Sequence, residues 1–156
     1  MSVSFLARDR EPALAYLVRP PANDTKPTFM FLTGLASDMM GGKASFLDEV
    51  CAREGFGYVR FDFRGHGQSQ GDFEDGTIGL WLLDAVAVLD RVIGDKGIFL
   101  IGSSMGGWVS LLLARAYPQK IKGLIGLAAA PDFTRDIKAQ MNDQQKKDLK
   151  KNGFFI

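Results

Sequence analysis

Five residues, Gly102-Ser103-Ser104-Met105-Gly106, stand between a short apolar run, Gly97-Ile98-Phe99-Leu100-Ile101, and a longer apolar run from Trp108 to Ala116. The first reads as a strand and the second as a helix, so G-x-S-x-G falls at a strand-to-helix turn. Such a turn demands that Ser104 take a strained conformation that lifts its hydroxyl above the sheet. The glycines on either side let strand and helix pass closely. A strand committed to this turn must belong to a sheet with helices packed upon it, which excludes an all-α or all-β chain.

The flanking sequence repeats the same alternation. Phe5–Ala7 and Leu14–Val18 read as a hairpin around Arg8-Asp9-Arg10-Glu11-Pro12. Strands are expected at Thr28–Thr33, Tyr58–Phe63, Ile98–Ile101 and Ile121–Leu127, with helices at Ser45–Glu54, Thr77–Ile93 and Met105–Tyr117. Strands that alternate with helices imply a mostly parallel sheet covered on both faces. Phe46, Leu47, Val50 and Cys51 should share the packed side of the first helix, with Gly55 as its left-handed end. In the second, Trp81, Ala85, Val88, Leu89 and Val92 should face inward while Asp84, Asp90 and Arg91 face away, between a Thr77 start and a Gly94 stop. The third is apolar almost all round and should be buried. Residues 1–131 therefore read as one α/β unit, and the polar 132–156 as the start of a helical cap segment.

Composition excludes several classes. Nineteen basic residues against eighteen acidic ones leave a formal charge of +1, and the charge run Lys146-Lys147-Asp148-Leu149-Lys150-Lys151 suits a solvated helix face better than a nucleic-acid patch. No apolar run approaches the ~18 residues of a membrane span, and the amino terminus lacks the pattern of a secretion signal, so a cytoplasmic chain is expected. The lone Cys51 lies on an apolar helix side and reads as a small core residue. Gly41-Gly42-Lys43-Ala44 lacks the spacing and the hydroxyl of a phosphate loop, and Gly102–Gly107 lacks the second glycine of a dinucleotide motif. No cofactor and no metal are expected.

Ser104 is the candidate nucleophile for attack on an acyl carbon, with the Met105 N–H, at the start of the following helix, as one donor to the developing oxyanion. A second donor should come from Thr33-Gly34-Leu35-Ala36-Ser37-Asp38, with Leu35 N–H the best placed and Gly34 supplying the backbone freedom; an ordinary strand-to-helix turn is the alternative. The one histidine, His66, lies in Asp62-Phe63-Arg64-Gly65-His66-Gly67-Gln68-Ser69. If that strand sits two places from the strand of Ser104, the gap is roughly 10 Å, which favours a loop-stabilising His66 over a catalytic base. Asp132 follows a strand end, as some catalytic acids do, but capping of the next helix is the plainer role.

Together these residues resemble the α/β-hydrolase superfamily. They are most similar to its serine esterase and thioesterase group, which includes the mitochondrial palmitoyl-protein thioesterase and acyl-glucuronide esterase of animals with bacterial relatives. The resemblance rests on Phe31-Leu32-Thr33-Gly34-Leu35-Ala36-Ser37-Asp38-Met39 with Lys43-Ala44, on Arg60-Phe61-Asp62-Phe63, on Thr77, Gly79 and Trp81 with Asp84, and on Gly102-Ser103-Ser104-Met105-Gly106-Gly107-Trp108. It runs from about Phe5 to Pro131. It implies an incomplete α/β-hydrolase fold of about six strands, Ser104 as nucleophile, Leu35 and Met105 as oxyanion amides, and fatty-acyl esters or thioesters as small-molecule substrates. It also implies two further strands carrying an aspartate and a histidine, which no position here matches. The expectation is a truncated serine hydrolase, weakly active or inactive. The alternative is a non-catalytic fragment or interaction module that self-associates through the exposed edge of the Ile121–Leu127 strand.

Overall fold

The computed structural model describes residues 2–152. Six strands, β1 (Ser4–Arg8), β2 (Glu11–Arg19), β3 (Thr28–Leu32), β4 (Gly57–Phe61), β5 (Ile98–Ser103) and β6 (Ile121–Leu127), form one sheet in the order β1-β2-β4-β3-β5-β6. β1 and β2 make the expected hairpin and β2 joins β4 antiparallel, while β4, β3, β5 and β6 run parallel. The chain leaves β3 for β4 on one side and returns to β5 on the other. The carboxyl ends of β3 and β5 thus flank a switch point, the usual ligand-binding crevice of an open α/β sheet.

Helices cover both faces, as the alternation implied. One face carries α2 (Ile78–Val88) and α3 (Met105–Ala116) over the main core, in which Leu14, Met30, Leu32, Phe61, Leu100, Met105 and Leu113 are sealed from solvent. The opposite face carries α1 (Gly42–Glu54) over a smaller cluster of Phe31, Tyr58, Ile101 and Cys51. Asp48 of α1 supplements that cluster, binding Arg19 of β2 at 2.7 Å and Arg60 of β4 at 3.1 Å. Two short helices, α4 (Phe133–Gln140) and α5 (Asp143–Asn152), follow the sheet. Gly153–Ile156, the end of the expected cap segment, lie outside the described residues.

Several boundaries move. α1 begins at Gly42, three residues before the expected start. The expected helix to Ile93 stays α-helical only to Val88; Leu89–Ile93 form a π-helical turn in which the Gly94 N–H reaches back to Leu89 O. Gly55 at φ 72° makes the expected left-handed exit, Gly94 at φ 73° and ψ −137° is the expected stop, and Thr77 Oγ1 caps α2 by accepting the Leu80 N–H. Phe46 and Leu111, expected to pack, are exposed, so the apolar stripes of α1 and α3 are narrower than their sequences suggest.

Asp84 is the largest correction. Far from facing away, it is fully buried. Its carboxylate accepts Arg8 Nη1 at 2.7 Å, Arg64 Nη2 at 2.8 Å and the Arg64 backbone N–H at 2.9 Å. One carboxylate therefore ties β1, the loop after β4 and α2 together. Its position beside Trp81, Ala85 and Val88 on the buried side of α2 follows from helical spacing, since residues three and four apart share a face. Asp84→Ala leaves two guanidinium groups without their buried partner and is expected to cost about 3–5 kcal/mol, read as a lower urea midpoint.

Candidate active site

Ser104 stands between β5 and α3 at φ 52° and ψ −118°, a conformation that costs a residue with a side chain about 1–3 kcal/mol. Neighbouring hydrogen bonds hold it there. Its N–H donates to Leu127 O at 3.0 Å, while its carbonyl accepts from Gly107 at 2.9 Å and Ala130 at 3.1 Å. The glycines explain why the turn fits. A Cβ on Gly106 would collide with the carbonyl oxygens of Leu32 and Thr33, one on Gly102 with Ser110 Oγ and the Gly106 carbonyl, and one on Gly107 with Ala129. α3, β5 and β3 are thus packed closely together, and Ser104 is left exposed at the carboxyl end of the sheet.

Its neighbour across the switch point is the loop after β3. A Cβ on Gly34 would lie 3.4 Å from Ser104 Cβ and 3.5 Å from Ser103 O, so this loop is the wall beside the serine. Leu35 follows, 41% exposed, and its N–H has no partner among the described residues. Met105 is buried, and as the first residue of α3 its N–H is one of the amides an α-helix leaves without an intrahelical acceptor. The left-handed residue of the loop is Ala36 at φ 54°, and Gly34 is not among the positive-φ residues.

His66 is buried at 4% exposure and does not reach Ser104 in any hydrogen bond among the described residues. Both ring nitrogens are engaged elsewhere: Nε2 lies 3.2 Å from the Ala36 N–H and Nδ1 lies 3.1 Å from Arg64 O. Phe73 and Trp81 meet the ring edge-on at 5.2 and 5.4 Å. Asp62, just upstream, is sealed from solvent and accepts the Met39 N–H at 2.6 Å and the Gln68 N–H at 2.8 Å. Burial raises its carboxyl above the ordinary range against the pull of those amides.

The remaining candidates resolve plainly. Asp132 precedes α4 but makes no side-chain cap bond; it takes a left-handed backbone at φ 57° and offers only its carbonyl to Arg135 N–H, so the capping role is corrected. Cys51 is buried, and burial pushes its thiol up to about 11, which keeps it protonated near neutral pH. No cluster of metal-ligating side chains and no helix long and apolar enough to cross a membrane occurs among the described residues.

An open cleft of about 540 Å³ lies alongside Leu35, walled by Ile78, Trp81, Trp108, Phe133 and Thr134. Trp108 and Phe133 meet edge to face at 5.7 Å. Its walls are mainly apolar, as in most small-molecule sites. On the other side of Gly34 a smaller cavity of about 140 Å³ is lined by Thr33, Ser37, Asp38, Lys43 and Ser103.

Residues 24–150 match the Hydrolase_4 family, described as serine aminopeptidase, S33. The chain belongs to that family. The chain is 37% identical over 154 residues to the human palmitoyl-protein thioesterase ABHD10, mitochondrial, covering 99% of itself and 49% of that protein. Among solved structures it is similar to a putative hydrolase from Agrobacterium vitis S4, at 40% identity and a TM-score of 0.89 over 99% of this chain and 62% of the other. It is also similar to alpha/beta hydrolase domain-containing protein 10 from mouse, at 35% identity and a TM-score of 0.87 over 98% and 60%. The chain spans about half the length of the curated relatives it matches. The fold is that of an α/β-hydrolase, represented by a six-stranded part of it.

Sequence reasoning found the serine turn, its flanking loop and the loop-stabilising role of His66, but missed the partner of that histidine and the burial of Asp84. The Ala36 bond to His66 joins residues thirty apart and leaves no periodic trace. Asp84 did leave one, an acid within an apolar helical stripe. Because Ser104 holds a backbone that glycine adopts without a Cβ penalty, Ser104→Gly is expected to raise unfolding stability by roughly 1 kcal/mol, measured as an increase in Tm of a few degrees.

Proposed function

We propose that Ser104 is the nucleophile of a serine hydrolase acting on acyl esters or thioesters. The observation that carries this is the exposed Ser104 at φ 52° with the Gly34 loop against it, where a Cβ on Gly34 would lie 3.4 Å from Ser104 Cβ, because it sets the serine hydroxyl beside a loop amide and a helix N-terminus. In this proposal Ser104 Oγ attacks the acyl carbon, and the Leu35 and Met105 N–H groups receive the charge that develops on the carbonyl oxygen. The apolar cleft walled by Trp81, Trp108 and Phe133 takes the acyl portion. The thioesterase name of the mammalian relatives agrees with such a substrate class.

His66 is not the base in this proposal, since both of its ring nitrogens are occupied away from the serine. The proton acceptor for Ser104 is supplied from outside these 156 residues, and Phe133 and Thr134 contribute to the cover of the acyl cleft. Without that acceptor Ser104 remains a weakly activated alcohol beside an oxyanion site. Incubation with a fluorophosphonate is expected to give slow labelling that mass spectrometry maps to Ser104 and that Ser104→Ala abolishes. Label on another residue overturns the nucleophile assignment, and rapid labelling of the isolated chain overturns the external base.

A second reading rests on the outer edge of β6. That strand ends the sheet order, and Ile125 is 50% exposed on it. An apolar edge strand is a template for pairing with another chain. In this reading the chain self-associates through β6, and a defined dimer in light-scattering chromatography that Ile125→Lys converts to monomer is expected. A monomer at all concentrations would dismiss it.

A further inference from the structure

The loop that walls Ser104 contains a residue, Ala36, in the left-handed conformation at φ 54°, although it is not a glycine. A side chain makes that conformation unfavourable, so something must hold it. The Ser37 N–H closes the turn by donating to Gly34 O at 3.2 Å, and the one side-chain acceptor on Ala36 N–H is His66 Nε2, also at 3.2 Å. An amide N–H can only donate, so Nε2 must present its lone pair. The proton of the neutral ring then sits on Nδ1, which faces the carbonyl of Arg64 at 3.1 Å. That carbonyl also accepts Trp81 Nε1–H at 3.2 Å, and Trp81 and Phe73 restrict the ring from the sides. Each partner is satisfied by one tautomer only.

We propose that His66 is a positioning residue: locked as its Nδ1–H tautomer, it latches the Ala36 amide, holds the loop after β3 in its left-handed turn, and so leaves the adjoining Leu35 N–H unpaired beside Ser104. The latch itself is a matter of His66 and Ala36; its consequence for Ser104 rests on the oxyanion role given to Leu35 above. The histidine thereby acts through the loop and touches no reacting atom. Asn and Gln separate the two halves of the bond, because an Asn amide reaches only the Arg64 carbonyl whereas a Gln amide carries its oxygen out to the position of Nε2.

With one histidine in the chain, a long-range proton–nitrogen NMR spectrum reports its tautomer without assignment. The expected result is an Nδ1–H imidazole; an Nε2–H ring overturns the proposal. Amide exchange of Ala36 should quicken about tenfold in His66→Asn and stay near wild type in His66→Gln, with exchange in β3 and α3 unchanged in both. Equal exchange in the two variants overturns the latch, and the tautomer measurement on the wild-type chain decides it if either variant fails to fold. Fluorophosphonate labelling of Ser104 should slow by about 10-fold or more in His66→Asn and recover in His66→Gln. Wild-type protein that never labels at Ser104 removes the hydrolase reading alone, since tautomer and exchange still decide the latch.

Discussion

The geometry at Ser104 depends on how closely α3 lies against the ends of β3 and β5. Gly106 faces the carbonyls of Leu32 and Thr33, and Gly102 faces Ser110 and the Gly106 carbonyl, with no space for a methyl group at either. Close-packed interiors transmit such contacts rather than absorb them, so a shift of the helix would move the serine with it. The strain at Ser104 is stored in this packing and held by the Ser104 N–H bond to Leu127 O and by the Gly107 and Ala130 N–H bonds to its carbonyl. A flexible serine loop could expose the same hydroxyl, but it could not hold it at a fixed position over the Gly34 loop.

Around that contact the protein uses buried polar groups as fixings between elements and loops, beside the apolar clusters. Asp84 joins β1, α2 and the loop after β4; Asp48 joins α1 to β2 and β4; Asp62 joins the loop after β3 to the loop after β4 through the amides of Met39 and Gln68. Each carboxylate has its partners, which is the condition under which a buried charge is tolerable. Removing one partner would strand the others, so these sites specify where the loops sit more than they add to stability. His66 belongs to the same set, with an imidazole in place of the carboxylate.

Much of the fold could be read from the chain because its signals are local. Alternating apolar runs with Gly55 and Gly94 at helix ends marked the order of strands and helices, and Gly102–Gly106 marked the serine turn. The errors share a cause. Phe46 and Leu111 are apolar by type but lie on helix sides that nothing covers among the described residues, and Asp84 is charged by type but lies on a covered one. Residue type indicates a preference for burial; which helix side is buried depends on the elements that pack against it. The π-helical turn at Leu89–Ile93 likewise keeps the composition of a helix while changing its hydrogen bonding.

By itself the sequence determined the α/β order, the place of the strained serine and the small residues that allow it, because each is a property of neighbours along the chain. It argued against His66 as a base only on the condition that its strand lay two places from that of Ser104, and the sheet supplies that condition: β4 lies two strands from β5, with β3 between them. Tertiary structure decided the rest, namely that Gly34 meets Ser104, that Ala36 rather than Gly34 carries the left-handed turn, that His66 secures it, and that Asp84 lies inside the core. Those contacts join segments from different strands and loops. Their geometry comes from sheet register and helix packing, which no run of adjacent residues encodes.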